Sequence, residues 1–393
     1  MIRGKKVPFR ASSSELDRLF ACNRESAKVW NTCVQIAKQF ALNHAGKWIS
    51  KTQLQHATKR QFHLHSQSTQ AVCHTYLFAR ESARQALRKK VKGIRYPYRQ
   101  KQHFNTKWAK DGFTIHADGK IELSMGIQDG KREKPIVIRT RNLPEGQIKE
   151  MELCYEKELY LSVTYEDGTT AEPYQQQRAV GVDPGEIHTL AAFCEKGDAV
   201  VITGRKVRSI HRLRNKKLAA ISRLLAKCKK GSRNWKRYQK VKQFIRAKSE
   251  RQLRDALHKT TKQFVDWCLA QEVSDVHLGN PDGVQRNTRK KKKASRKQAQ
   301  RLSNWSFGKV RAYLAYKLEM QGIRLHEVAE SYTSQTCPVC KEKRKVSSRN
   351  YRCCCSYREH RDIHGARNIL AKGIWGEIRH FAVPTRATYL RIA

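Results

Sequence analysis

Five cysteines crowd into residues 337–355, and no other feature of this chain limits its folding as tightly. Cys337 and Cys340 frame a Cys-x2-Cys knuckle, and residues 341–352 separate it from Cys353-Cys354-Cys355. Four thiolates from two such knuckles close a tetrahedral zinc site, structural rather than catalytic. The second knuckle is irregular, because three cysteines are adjacent and Ser356 follows. Cys353 and Cys355 are the expected partners of Cys337 and Cys340, with Cys354 as a substitute for Cys353. The other seven cysteines (Cys22, Cys33, Cys73, Cys154, Cys194, Cys228 and Cys268) stand singly. A secreted disulfide scaffold would be shorter and more evenly spaced, so these seven read as buried free thiols in a reducing cytosol.

The charge is the second constraint. Lys and Arg number 81 against 34 Asp and Glu, a formal net charge of +47. A surface this basic repels itself unless a polyanion covers it. Nucleic acid is the expected partner, since each neutralised phosphate releases counterions. A membrane is not expected: the sequence has no long apolar run and no signal peptide. At 39% hydrophobic residues over 393 positions the chain can fill two or three domain cores.

The periodicity changes along the chain. Residues 1–10 read as a strand. Ser12 and Glu15 form a capping-box pattern, and Leu16, Leu19, Phe20, Ala27, Trp30, Val34 and Ala37 recur at helical spacing. Two more helical stretches, near 51–62 and 68–91, complete a small bundle. From about residue 94 the period becomes two, with hairpins around Asp118-Gly119 and between Met151–Tyr155 and Leu159–Tyr165. These strands predict a β-barrel closed by the N-terminal strand, with the helices inserted into it. Residues 167–177 read as a linker. The order from 178 onward is strand, strand, strand, a long basic helical stretch over 205–265 broken at Gly231-Ser232, strand, helix (303–321), strand (323–328), the cysteine cluster, and a last helix near Asp362. That order fits an RNase H-like α/β sheet with helices on its faces.

Two acids stand out. Asp183 ends the apolar strand of Val180-Gly181-Val182-Asp183-Pro184-Gly185. An acid held there is rigid, although Asp-Pro-Gly is also ordinary turn chemistry. Asp362 lies in His360-Arg361-Asp362-Ile363-His364-Gly365-Ala366-Arg367-Asn368-Ile369-Leu370, where a helix begins; an N-cap acid is equally ordinary there. Hydrolysis of phosphodiesters by two metal ions needs several such carboxylates to converge. Two basic stretches are candidate nucleic-acid contacts: Arg289, Lys290, Lys291, Lys292 and Lys293 in the acid-free run 286–297, and Arg233, Trp235 and Lys236 near the Gly-Ser break. A solvated charge run is the plain alternative for both.

Taken in order, the "GVDPG" strand, the Gly-Ser-broken basic helical pair, the "TSQTCPVC" knuckle and "HRDIHGARNIL" resemble the TnpB family, transposon-encoded relatives of type V CRISPR nucleases. Leu302–Gly308 (LSNWSFG), Tyr96-Pro97-Tyr98-Arg99 and Trp108 also resemble that family. The resemblance implies a wedge β-barrel (1–10 and 92–170) with an inserted helical recognition lobe (11–91). It implies a RuvC-like nuclease domain (178–336 and 356–372), an inserted zinc ribbon (337–355) and a tail (373–393). It further implies a guide RNA, double-stranded target DNA cut next to a short adjacent motif, two Mg²⁺ ions at the nuclease site and one structural Zn²⁺. A monomer with its RNA, in a prokaryotic cytosol, is the expected state.

The sequence departs from the family at one place. The second acid of the family ends the strand at 272–278, where this chain has Gly279. Glu330, just past the neighbouring strand, is the expected replacement, as in TnpB-like proteins with Gly at the usual place and Glu before "YTS". The expected catalytic set is therefore Asp183, Glu330 and Asp362, which also holds the magnesium. Glu327, Asp275 and Asp282 are weaker stand-ins, and strand alternation points Glu327 to the opposite face. The alternatives are a miniature CRISPR effector of identical chemistry, a nuclease-dead RNA-guided repressor, and a strand-joining transposase.

Overall fold

The computed structural model describes residues 1–392 except 129, 157, 173–177, 282–294 and 347. It divides into two compact units, Met1–Thr169 and Thr170–Ala393. No helix among the described residues is long and apolar enough to cross a membrane.

The first unit runs β1 (Ile2–Val7), α1 (Ser13–Asn43), α2 (Lys51–Ala57), α3 (Ser66–Arg88), β2 (Thr106–Ala109), β3 (Phe113–Ile115), β4 (Lys120–Leu123), β5 (Ile127–Gln128), β6 (Lys131–Arg132), β7 (Ile136–Arg139), β8 (Gln147–Tyr155) and β9 (Leu159–Glu166). Ser12 caps α1, its hydroxyl accepting from the Glu15 amide at 3.2 Å. Glu15 spends its own carboxylate on Arg18 at 3.0 Å. The expected closed barrel is not present among the described residues. Instead β1-β9-β8-β2 form one sheet, β3-β4-β7 a second and β5-β6 a hairpin. β2 is only four residues long, and the chain turns over Lys110–Gly112 before β3 pairs with a different neighbour. A single bridge between Arg10 and Arg139 links the two sheets. One core still serves both, with Val7, Trp108, Ile121, Ile138, Met151 and Leu161 packed with Leu19, Trp30 and Tyr76 of the helices.

The second unit contains β10 (Ala179–Asp183), β11 (His188–Cys194), β12 (Asp198–Thr203), α4 (Arg205–Ala226), α5 (Arg233–Ala270), β13 (Asp275–Asn280), α6 (Arg296–Asn304), α7 (Phe307–Glu319), β14 (Arg324–Ala329), β15 (Asn350–Arg352), β16 (Arg358–His360), α8 (Arg361–Trp375) and β17 (Arg386–Leu390). Six strands make a mixed sheet in the order β14-β13-β10-β11-β12-β17. β13 and β14 run parallel to β10, whereas β11 is antiparallel to it. Residues 373–393, read from sequence as a tail, supply the edge strand β17, parallel to β12.

Alternation sends side chains to two layers. Val180, Val182, Leu190 and Leu278 pack with Leu257 and Phe264 of α5 and Leu314 of α7. On the other face Ala191, Phe193 and Val201 pack against Ile363, Ala366 and Leu370 of α8. Gly181 lets α8 lie directly on the sheet. A Cβ there would fall on the Ala366 carbonyl oxygen and come within 2.5 Å of the Leu370 nitrogen and 2.6 Å of its Cβ. Overpacking of this kind costs about 1–3 kcal/mol. Gly181→Val is therefore expected to lower the melting temperature by roughly 4–10 °C. An unchanged melting curve would show that α8 yields freely.

Candidate active site and cysteine ribbon

Asp183 ends β10 on the same face as Gly181, towards α8. On that helix Gly365 makes room for it, since a Cβ at Gly365 would lie 2.5 Å from Asp183 Oδ2. Asp362 stands in the first turn of α8, but it does not cap the helix. His360 is the N-cap residue and makes no side-chain capping bond. Asp362 Oδ2 instead accepts from Nδ1 of His188, at the start of β11, at 2.6 Å, and from Arg349 at 3.4 Å.

Glu330 enters from β14. Gly279 and Val328 are opposite one another in the parallel β13–β14 pair, and Glu330 follows two residues later. A Cβ built on Gly279 would fall on Glu330 Oε1 and lie 2.7 Å from its Cγ and 2.8 Å from Ile369 Cδ1. The Glu330 carboxyl thus fills the space that a side chain at 279 would take. Its Oε1 is buried without a hydrogen-bond partner.

Of the three acids, Asp183 is the one on which both others act. Burial, and then the charges of Glu330 and Asp362, hold the Asp183 carboxyl well above the usual carboxylate range, against a smaller opposing effect of Arg361. Burial pushes Glu330 up to about 7. Burial alone would raise Asp362 as well, but the hydrogen bond from His188 and the charges of His188, His360 and Arg349 outweigh it and lower it. A buried carboxyl raised by two other acids, and a second carboxyl with an orphaned buried oxygen, form an environment that a cation would relieve. The weaker stand-ins point elsewhere. Glu327 pairs with Arg311 of α7 and accepts from Asn280 at 2.9 Å. Asp275, at the other end of β13, binds Arg324 and His326, each at 2.7 Å. Asp282 lies outside the described residues, as do Arg289, Lys290, Lys291, Lys292 and Lys293.

The knuckles come together beside this face. Cys337 Sγ lies 3.5 Å from Cys355 Sγ, and Cys340 Sγ 3.4 Å from Cys353 Sγ. One ligand atom from each of the four falls within 4.8 Å of all the others, a spacing that suits one tetrahedral zinc. Cys354 turns away to Glu342, at 2.7 Å. Asn368 of α8 ties the ribbon down, its Nδ2 donating to the Thr333 and Thr336 carbonyls at 2.7 and 2.8 Å. Tyr351 stacks on the buried His364 with ring centroids 3.9 Å apart. The roles of His188, Gly365 and Asn368 were not read from the sequence. The available signal was polar or minimal side chains at positions an apolar strand or helix would otherwise fill. Arg233, Trp235 and Lys236 open α5 at the tip of the α4–α5 hairpin, where Ser232 caps the helix by accepting from the Trp235 amide at 3.3 Å.

Two family models cover these elements. Residues 162–285, which contain Asp183 and Gly279, match the OrfB_IS605 model, described as a probable transposase. Residues 307–369, which contain Glu330, the cysteines and Asp362, match the Cas12f1-like TNB domain. The TnpB-like protein of Methanocaldococcus jannaschii is 24% identical over 221 residues, 55% of this chain and 75% of its own length. This chain is similar to TnpB-like proteins. A relative named RNA-guided DNA endonuclease InsQ, from Escherichia coli (strain K12), is 28% identical over 226 residues. That match covers 54% of this chain and about half, 54%, of InsQ. Among solved structures, a chain of the Cas12f1–sgRNA–target DNA complex superposes with a TM-score of 0.63 at 16% identity, covering 91% of this chain and 83% of that one. The chain therefore shares the Cas12 fold, and its five clustered cysteines lie inside the TNB match.

Proposed function

We propose that this chain is an RNA-guided DNA endonuclease, cutting target DNA beside a short adjacent motif at one RuvC-like, RNase H-type site. The observation that carries the reading is the Glu330 carboxyl lying over Gly279, on a face where the charges of Glu330 and Asp362 both act on Asp183. These three would hold two Mg²⁺ ions, which supply Lewis-acid stabilisation of the phosphoryl oxygens and a nucleophilic water at neutral pH. Asp183 is fixed by its strand and by the space at Gly365. His188 orients Asp362 by occupying Oδ2, as a ring N–H commonly orients a metal-binding carboxylate. Glu330 is half-buried, with its Oε1 shielded from solvent.

Cys337, Cys340, Cys353 and Cys355 would hold one zinc that anchors the segment between Glu330 and Asp362. The +47 charge suits a guide RNA and an RNA–DNA heteroduplex, which such proteins grip by the backbone rather than by the bases. Arg233, Trp235, Lys236 and the 289–293 run are proposed contacts to it. The working state in this reading is a monomer with its RNA in a prokaryotic cytosol.

The test is expression together with flanking transposon RNA. The protein is expected to copurify with a structured RNA and to cut guide-matched DNA only with Mg²⁺. Stable, RNA-free protein with full cutting activity would refute the RNA part. Guided binding without any Mg²⁺-dependent cut would favour a nuclease-dead repressor.

A further inference from the structure

The ribbon carries more ligand atoms than one zinc uses. Cys354 is outside the four-sulfur set, yet its Sγ lies 2.7 Å from Glu342 Oε2 and 3.8 Å from Cys353 Sγ. Cys340, Glu342, Cys353 and Cys354 form a second quartet whose ligand atoms also lie within 4.8 Å of one another. The two quartets share Cys340 and Cys353. A thiolate sulfur keeps lone pairs after binding one cation, so it can bridge two.

We propose that the ribbon holds a second thiophilic divalent cation of the zinc or cadmium class, with Cys340 and Cys353 as bridging thiolates and Cys354 and Glu342 as terminal ligands. Three sulfurs and one oxygen suit such a cation and suit magnesium or calcium poorly. Access is direct, because Cys340, Glu342 and Cys354 are exposed. Binding would displace the Cys354 thiol proton, now donated to Glu342, into solvent. Five thiolates and a carboxylate around two divalent cations leave a residual negative charge. Lys341, Lys343, Arg344, Lys345 and Arg352 surround it in sequence and offset it.

The experiment counts zinc per chain by elemental analysis. It uses the RNA-bound full chain, saturated with zinc in excess Mg²⁺ so that oxygen-rich sites stay with magnesium, and then desalted. Two zinc ions per chain are expected in the unaltered protein, and one in Cys354→Ser. Cys228→Ser, which removes a half-buried thiol outside the ribbon, is expected to keep two. One zinc in the unaltered protein overturns the second site and leaves the first. None overturns both. Two zinc ions retained by Cys354→Ser overturn the proposed ligand set.

Discussion

Glu330→Gln is expected to abolish DNA cleavage while guided DNA binding persists. The amide keeps the shape over Gly279 but removes the charge, and with it several kcal/mol of metal-assisted transition-state stabilisation. About 4 kcal/mol corresponds to a loss of roughly a thousandfold in rate. Glu330→Asp keeps the charge but shortens the reach by one methylene, and Mg²⁺ demands near-ideal octahedral geometry, so severe impairment is expected there too. Glu327→Gln is expected to cut almost normally, because that carboxylate faces α7 and pairs with Arg311. Gly279→Ala is expected to slow cleavage and to lower stability modestly. Its methyl would push against the end of the Glu330 side chain, which can shift cheaply but then sits out of place. The methyl would also crowd the buried Ile369. Cleavage assays beside gel-shift binding with the same guide and target read all four variants. Wild-type cutting by Glu330→Gln would show that another acid supplies the charge.

Cys337→Ser should do comparable damage by a different route. A structural zinc contributes on the order of 10 kcal/mol in small modules, and the ribbon's own core is small. Its buried cluster is Cys337, Tyr351 and Cys353, with Val346 and Tyr357 beside it. Loss of the zinc is expected to free residues 330–360 while α8 stays packed through Ile363, Ala366 and Leu370. Hydrogen exchange should then show lost protection over the ribbon and retained protection in the sheet. Cleavage should fall with Glu330→Gln-like severity, since Glu330 opens the freed segment and Arg349, a partner of Asp362, lies within it. Zinc-free protein with full activity would refute this account.

The parts of this molecule that could be read from sequence are those governed by short-range periodicity. Alternation in Val180–Asp183 places Asp183 opposite the apolar face, and alternation in β14 separates Glu327 from Glu330. Cysteine spacing marks the ribbon, because coordination geometry tolerates few arrangements. The unread parts depend on tertiary partners. β17 is mostly exposed, so no apolar period marks it, and only pairing with β12 makes it a strand. The barrel expectation failed because hairpin signals reveal pairs of strands but not whether the ladder closes. The His188–Asp362 bond joins residues 174 positions apart, and nothing local to either announces the other.

The space shared by Gly279 and Glu330 has an evolutionary consequence. The family resemblance implies an acid on β13, whereas in the proposed reading this chain carries it beyond β14. Both side chains cannot occupy the same volume, and a chain with neither lacks the charge. Moving from one arrangement to the other by single substitutions therefore passes through either a crowded ancestor or an inactive one. The glycine acts as a ratchet. Once Glu330 has settled over it, any larger residue at 279 is penalised before a second change can make it useful. Descendants of this protein should drift freely at Glu327 and hold both Gly279 and Glu330 as an inseparable pair.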